Sequence, residues 1–201
     1  MSYIKIPGYF ITGLFVVLLS GCATRPPMHG EKIAYWQTHR EKLTKLNTWQ
    51  IKGRIAVQME KQGWSATLQW RQRQQDYFLR IIAPLGGGIY ELSGNEDGVL
   101  MRTAKNMTLR ADNPETLLQN NFGWHVPLSG LVYWLRGLPE PGSKTNTLVL
   151  DDQGRITDLV QAGWQISYLR YMTASGFDLP GKIVIQNDKL KVQLIIRDWK
   201  I

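Results

Sequence analysis

Apolar and polar positions along this chain change their period twice, and the changes divide it into elements. From Glu31 to Asn47 the period is helical: Ile33, Trp36, Leu43 and Leu46 share one face, while Lys32, Glu41, Lys42 and Lys45 share the other. From Trp49 it drops to two. In "WQIKGRIAVQM" Trp49, Ile51, Ile55, Val57 and Met59 fall on one side, and after an "EKQG" turn Trp64, Ala66, Leu68 and Trp70 do so in "WSATLQW". A second hairpin, "DYFLRIIA" and "GIYELSG", is joined through "PLGG", and a third, "GVLMRT" and "MTLRA", through "AKN". The period returns to 3.6 in an insertion. Asn113 caps and Pro114 starts a helix carrying Leu117, Leu118 and Phe122, with Gly123 as its stop; a second helix carries Leu128, Leu131, Val132 and Leu135 and ends at Gly137. Tyr133 and Trp134 lie off that stripe, so the second helix is apolar on more than one face. Five more strand segments follow: "NTLVLDD", "RITDLVQA", "WQISYLRYM", "LPGKIVIQ" and "LKVQLIIRDWKI". Ten or eleven short strands with closely spaced turns predict a large curled antiparallel sheet or an incomplete barrel of about 11 strands, with the helices at its opening.

The chain ahead of the helix follows other rules. Lys5 supplies a positive start and Phe10 to Leu19 an apolar core too short to span a bilayer, the pattern of a cleaved export signal over residues 1–21. "LSGC" follows, and its Cys22 is the only cysteine in the chain. The tetrapeptide resembles the bacterial lipobox, whose cysteine receives a diacylglyceryl thioether and an N-acyl chain; an ordinary signal with a chance cysteine is the alternative. Ala23 rather than Asp after the cysteine suits the outer membrane under the sorting rule the lipobox implies. Residues 22–30, with two prolines and no periodicity, then read as anchor and spacer, and residues 31–201 as one domain. Apart from that covalent lipid no cofactor is expected.

Composition narrows the picture less than pattern does. Without residues 1–21 the chain has 23 basic against 16 acidic residues, a balance suited to anionic headgroups or an acidic protein. An exported location excludes nucleic acid as a partner, and the scattered basic residues also fit a merely solvated surface. Three histidines in unrelated contexts, His29 in the spacer, His39 on the exposed side of a helix, and His125, predict no metal site. No nucleophile elbow, Walker sequence or dinucleotide fingerprint occurs, and Asp151, Asp152 and Asp158 sit in turn-like stretches, so no catalytic constellation is expected. Gly86 to Gly88 lack the helix that a phosphate loop requires and read as a hairpin turn.

The tryptophans say more. Eight occur, several on inward strand positions or on the insertion; they either fill a core or border a cavity, and a barrel of this width leaves room for one.

"WQTHREKLTKLNTWQIKGRIAV" (36–57), "APLGGGIYEL" (83–92), "LVYWLRGLP" (131–139) and the terminal "RDWKI", together with the lipobox, resemble the LolB family of outer-membrane lipoproteins. The resemblance implies an incomplete antiparallel barrel plugged by helices around a hydrophobic cavity. It implies a receptor, expected as a monomer anchored in the outer membrane and facing the periplasm. Such a receptor takes acylated lipoproteins from the soluble carrier LolA and releases them into outer-membrane phospholipid. Residue by residue, it implies that Leu85, between Pro84 and Gly86, is the membrane-insertion residue. Trp70, Trp134 and Trp164, with Leu131 and Leu135 of the insertion, are its candidates for the acyl-binding cavity. The match at Trp70 takes a one-residue deletion between it and Leu85. Two other readings of the residues remain: a structural lipoprotein with a packed barrel that binds an envelope partner, and an envelope hydrolase, for which a nucleophile is lacking.

Overall fold

The computed structural model describes residues 29–59, 62–122 and 125–201. The signal segment, Cys22 and nearly all of the spacer therefore lie outside the described residues, as do the tip of the first hairpin and Gly123. Helix α1 (His29–Thr44) precedes strands β1 (Thr48–Met59), β2 (Gln62–Arg73), β3 (Asp76–Ile82), β4 (Ile89–Asn95), β5 (Gly98–Arg102) and β6 (Thr108–Ala111). Helices α2 (Pro114–Phe122) and α3 (Leu128–Trp134) follow, then β7 (Thr145–Leu150), β8 (Ile156–Gln161), β9 (Trp164–Ala174), β10 (Phe177–Gln186) and β11 (Leu190–Lys200).

All eleven strands form one unclosed antiparallel sheet in the order β6-β5-β4-β3-β2-β1-β11-β10-β9-β8-β7. The first and last strands of the chain pair at its centre, and the two edges, β6 and β7, flank the helical insertion in sequence. The expected incomplete barrel is what the chain forms. Alternation sets the faces: Trp49, Ile51 and Val57 of β1 and Ala66, Leu68 and Trp70 of β2 are buried, and register places Ile51 opposite Trp70 and Val57 opposite Trp64. A bulge at Lys52/Gly53 bends the central pair, and Gly53 is required there because a Cβ would fall 2.2 Å from the Ile195 carbonyl oxygen.

Strand direction gives the sheet two poles. At one lie the β3–β4 and β5–β6 turns; at the other lie the β2–β3, β7–β8 and β9–β10 turns together with the junction of α1 and β1. Helix α1 is bound to the second pole. Lys32 pairs with Asp152, Lys42 donates to the Gly176 carbonyl, and Gly154 leaves so little room that a Cβ would meet the Trp36 amide nitrogen at 2.5 Å.

Some element boundaries and faces differ from the sequence reading. The helix stops at Thr44, and Leu46 is buried beyond it on a turn closed by its amide to the Leu43 carbonyl. Ile33 is exposed; the buried apolar residues of α1 are Trp36 and Leu43. His39 is not on the exposed side: it is half-buried, and its Nε2 has no hydrogen-bond partner. Strands β9 and β10 extend toward each other through Ser175 and Gly176, both at positive φ, a hairpin tip concealed by a short polar run. The insertion follows the pattern closely. The Asn113 side chain accepts the Thr116 amide at 2.8 Å, and Gly137, at φ 79°, closes α3 with bonds from Gly137 to the Trp134 carbonyl and from Leu138 to the Tyr133 carbonyl.

Candidate functional site

Period-2 strands put their apolar sides on the concave face of the sheet, and the insertion covers part of it. A cavity of about 490 Å³ remains between them. Ile55 and Val57 of β1, Leu68 and Trp70 of β2, Leu79 and Ile81 of β3, and Ile185 and Val192 of β10 and β11 form its walls. Leu118 of α2 and Leu128 and Leu131 of α3 cover it, with Trp164 at the start of β9 on one side. No charged side chain lines it among the described residues, so it favours apolar matter and offers nothing to steer a reaction. Of the lining residues, Pro84 and Gly87 are the exposed ones, so the cavity reaches the surface beside the β3–β4 turn.

That turn carries Leu85, at 105% relative exposure. Pro84–Gly86 form one 3₁₀ turn in which Leu85 has φ 53° and ψ 37°, a left-handed conformation that costs a leucine about 1–3 kcal/mol. The surrounding chain imposes it. The Ala83 amide donates to the Gly88 carbonyl at 3.0 Å and the Gly87 amide to the Pro84 carbonyl at 3.1 Å. Gly88, at φ 95°, lies where a Cβ would come within 2.3 Å of the Ala104 Cβ on the next turn. The turn is a hydrogen-bonded device that holds one apolar side chain clear of the fold.

The structure divides the cavity candidates. Trp70, Trp164 and Leu131 line it. Trp134 and Leu135 do not: both are fully buried behind it, because residues on the far side of α3 face β8 and β9 rather than the concave face. Trp134 tilts against Trp164 with ring centroids 6.3 Å apart, and its Nε1 donates to Gln161 Oε1 at 3.0 Å. Gln161, itself fully buried, also accepts the Glu140 amide and donates to the Glu140 and Ser143 carbonyls; the Tyr168 hydroxyl donates to the Trp134 carbonyl. Trp70 joins a second group, 5.7 Å from Trp49, which is 5.4 Å from Trp199, with its own Nε1 donating to Gln72.

Sequence reading missed Arg136. Its guanidinium donates to the Leu43 and Leu46 carbonyls at the end of α1 and to the Val132 carbonyl, and stacks on Tyr133, without a carboxylate partner among the described residues. A cation is favourable at the carbonyl end of a helix, although burial pulls its pKa below the usual arginine range. One basic residue within the apolar run "LVYWLRGLP" was the available signal.

The other perturbed groups do not assemble into a reacting centre. Burial pushes the Tyr77 hydroxyl up to about 12, raises Tyr168 and Tyr171, and lowers His39. No cluster among the described residues offers three metal-ligating side chains, and no helix there is long and apolar enough to cross a membrane.

The family described as Outer membrane lipoprotein LolB matches residues 47–199. The chain belongs to the LolB family. It is 40% identical, over 92% of each chain, to the outer-membrane lipoprotein LolB of Pseudomonas syringae pv. syringae and 39% identical, over 95% of each, to that of Pseudomonas aeruginosa. A solved LolA superfamily protein from Nitrosomonas europaea superposes with a TM-score of 0.52 at 8% identity, covering 85% of this chain and 93% of that one. At that identity the likeness shows a shared sheet-and-helix architecture. The matched region holds every lining residue of the cavity and the leucine turn.

Proposed function

We propose that this chain is a lipoprotein-sorting receptor of the outer membrane, anchored through acylated Cys22 and facing the periplasm. It accepts acylated lipoproteins from the soluble carrier LolA, holds acyl chain in the apolar cavity, and passes the cargo into outer-membrane phospholipid. The observation that carries this is the pairing of an uncharged 490 Å³ cavity with a fully exposed leucine at its mouth. Each methylene moved from water into such a cavity contributes about 0.8 kcal/mol, enough to retain a chain without a covalent step. No nucleotide motif is present, so direction comes from successive differences in affinity between carrier, cavity and bilayer. Leu85 adds roughly 1.5–3 kcal/mol when immersed in lipid, which biases contact but cannot anchor a domain. The open cavity favours this reading over a packed scaffold.

Leu85→Glu tests it. The variant is expected to take cargo from the carrier as the parent does and to lose release into liposomes by at least tenfold. Equal loss of both steps would refute the division between cavity and turn. Failure of the parent chain to compete for the carrier's cargo would sink the receptor reading.

A further inference from the structure

The outward face of the sheet beside the leucine turn is graded along its strands. Nearest the turn, Ile82 and Ile89 pair across β3 and β4 on the outward side, and Ile89 is 37% exposed. Thr67 and Arg54 continue that same row across β2 and β1; the next outward row is Arg80–Gln69–Lys52, then Phe78–Arg71–Gln50–Lys200. The alternate positions Ile51, Trp70 and Leu79 are in the core, so these side chains lie on the other surface. Gln50, Lys52, Gln69, Arg71, Phe78 and Arg80 form a shallow groove of about 330 Å³, with the Arg71 guanidinium 4.9 Å from the Phe78 ring. Acidic neighbours are few. Glu91 pairs with Arg80 at 3.3 Å, and Asp198 is the register partner of Lys52 on β11. Among the described residues, Lys52, Arg54, Arg71 and Lys200 have no carboxylate within 4.0 Å.

We propose that this face is a membrane-docking surface, on which Leu85, Ile82 and Ile89 meet the acyl region and Lys52, Arg54 and Arg71 bind the phosphates of anionic lipid headgroups. The order supports a lipid surface: the rim row is apolar on β3 and β4 and ends in Arg54 on β1, and the rows behind it carry Lys52, Arg80 and Arg71, as an element lying at a bilayer interface requires. From Arg80 to Leu85 is five residues, at most about 18 Å of chain, so one inclined domain presents both. The pole opposite Leu85 holds α1, and with it the chain leading back to Cys22. A domain standing on its anchor pole directs Leu85 away from the bilayer, whereas one reclining on this face reaches lipid at both ends. The inference rests on the reading that Leu85 meets a membrane.

The test uses the full lipidated chain in liposomes. With Cys22 acylated, Thr67→Cys provides a lone thiol for a fluorophore on this face, and Thr147→Cys on β7 a control. Quenching by a headgroup-nitroxide lipid is expected at position 67 in vesicles containing phosphatidylglycerol, weakly in pure phosphatidylcholine, and not at position 147. Lys52→Glu and Arg71→Glu, both on exposed side chains, should each lower the ratio of reclining to upright domains at least roughly fivefold, since losing the cation alone costs about 1 kcal/mol near an anionic surface and the new carboxylate adds repulsion. Added salt should reduce it further. Quenching indifferent to anionic lipid, or equal at 67 and 147, would overturn the proposal. So would charge reversals that weaken capture of an acidic protein and leave quenching unchanged. Normal cargo transfer without quenching defeats only this surface, whereas quenching without cargo acceptance defeats only the receptor reading.

Discussion

Trp134 and Trp164 touch each other, yet one is structural and the other faces the void. Trp134 is sealed behind α3, its indole N–H donating to Gln161 and its backbone carbonyl accepting from Tyr168. Trp164 lines the cavity and meets Trp134 on its other side. A packed aromatic contributes dispersion on all its faces, whereas one at a void leaves part of its contact unmade. The same contrast separates the Gln161 network from Leu68, Leu79 and Leu131, whose side chains border the void and leave room for a guest. Stability and binding capacity are thus assigned to opposite sides of one pair of rings.

Trp134→Ala should break this contrast most severely. It removes a fully packed side chain and orphans the Gln161 oxygen, with an expected loss of about 3–5 kcal/mol in urea unfolding. Trp164→Ala should cost clearly less and change the uptake of a hydrophobic fluorescent probe instead. Equal costs would show that the two rings are equally structural. Gln161→Leu comes next. It leaves the Trp134 N–H and the Glu140 and Ser143 carbonyls without their partner in the interior, so a loss of roughly 2–3 kcal/mol is expected, with probe binding retained. A parallel loss of probe binding would mean that the network shapes the cavity directly.

His39 gives the smallest effect. Burial lowers its folded pKa below 6.5, so between the folded value and 6.5 the unfolded chain binds more protons than the folded one. Its contribution is therefore complete above pH 6.5 and falls as pH drops toward the folded value. Asp178 and Asp151 oppose that shift, while Arg155 and Lys42 reinforce it. His39→Gln should flatten the stability profile below pH 6.5 and leave probe binding alone, since α1 lies at the pole away from the leucine turn.

Much of the architecture was legible because alternation is local. The period-2 runs of β1 and β2, the Asn113 cap and the Gly137 stop each follow from residues close together in the chain, and the structure contains all of them. Helix α1 was harder, since Ile33 has the right spacing to be buried and the sheet simply does not extend under it. The candidate site was partly readable. Leu85 announced itself as an apolar residue among turn formers, but Trp70, Trp134 and Trp164 look alike in sequence, and only packing separates the two that line a cavity from the one that braces it.

The sequence by itself determined the strands and their inward faces, the capped insertion, the apolar turn and the absence of recognisable catalytic motifs, because each depends on short-range periodicity or on a residue's own chemistry. Tertiary structure alone decided that β1 and β11 meet at the centre, that Arg136 caps α1 from some ninety residues away, and that Leu85 and helix α1 occupy opposite poles. It also decided where the void lies. A cavity belongs to no residue: it is the volume that elements distant in sequence fail to fill when they pack, and local pattern carries no record of it.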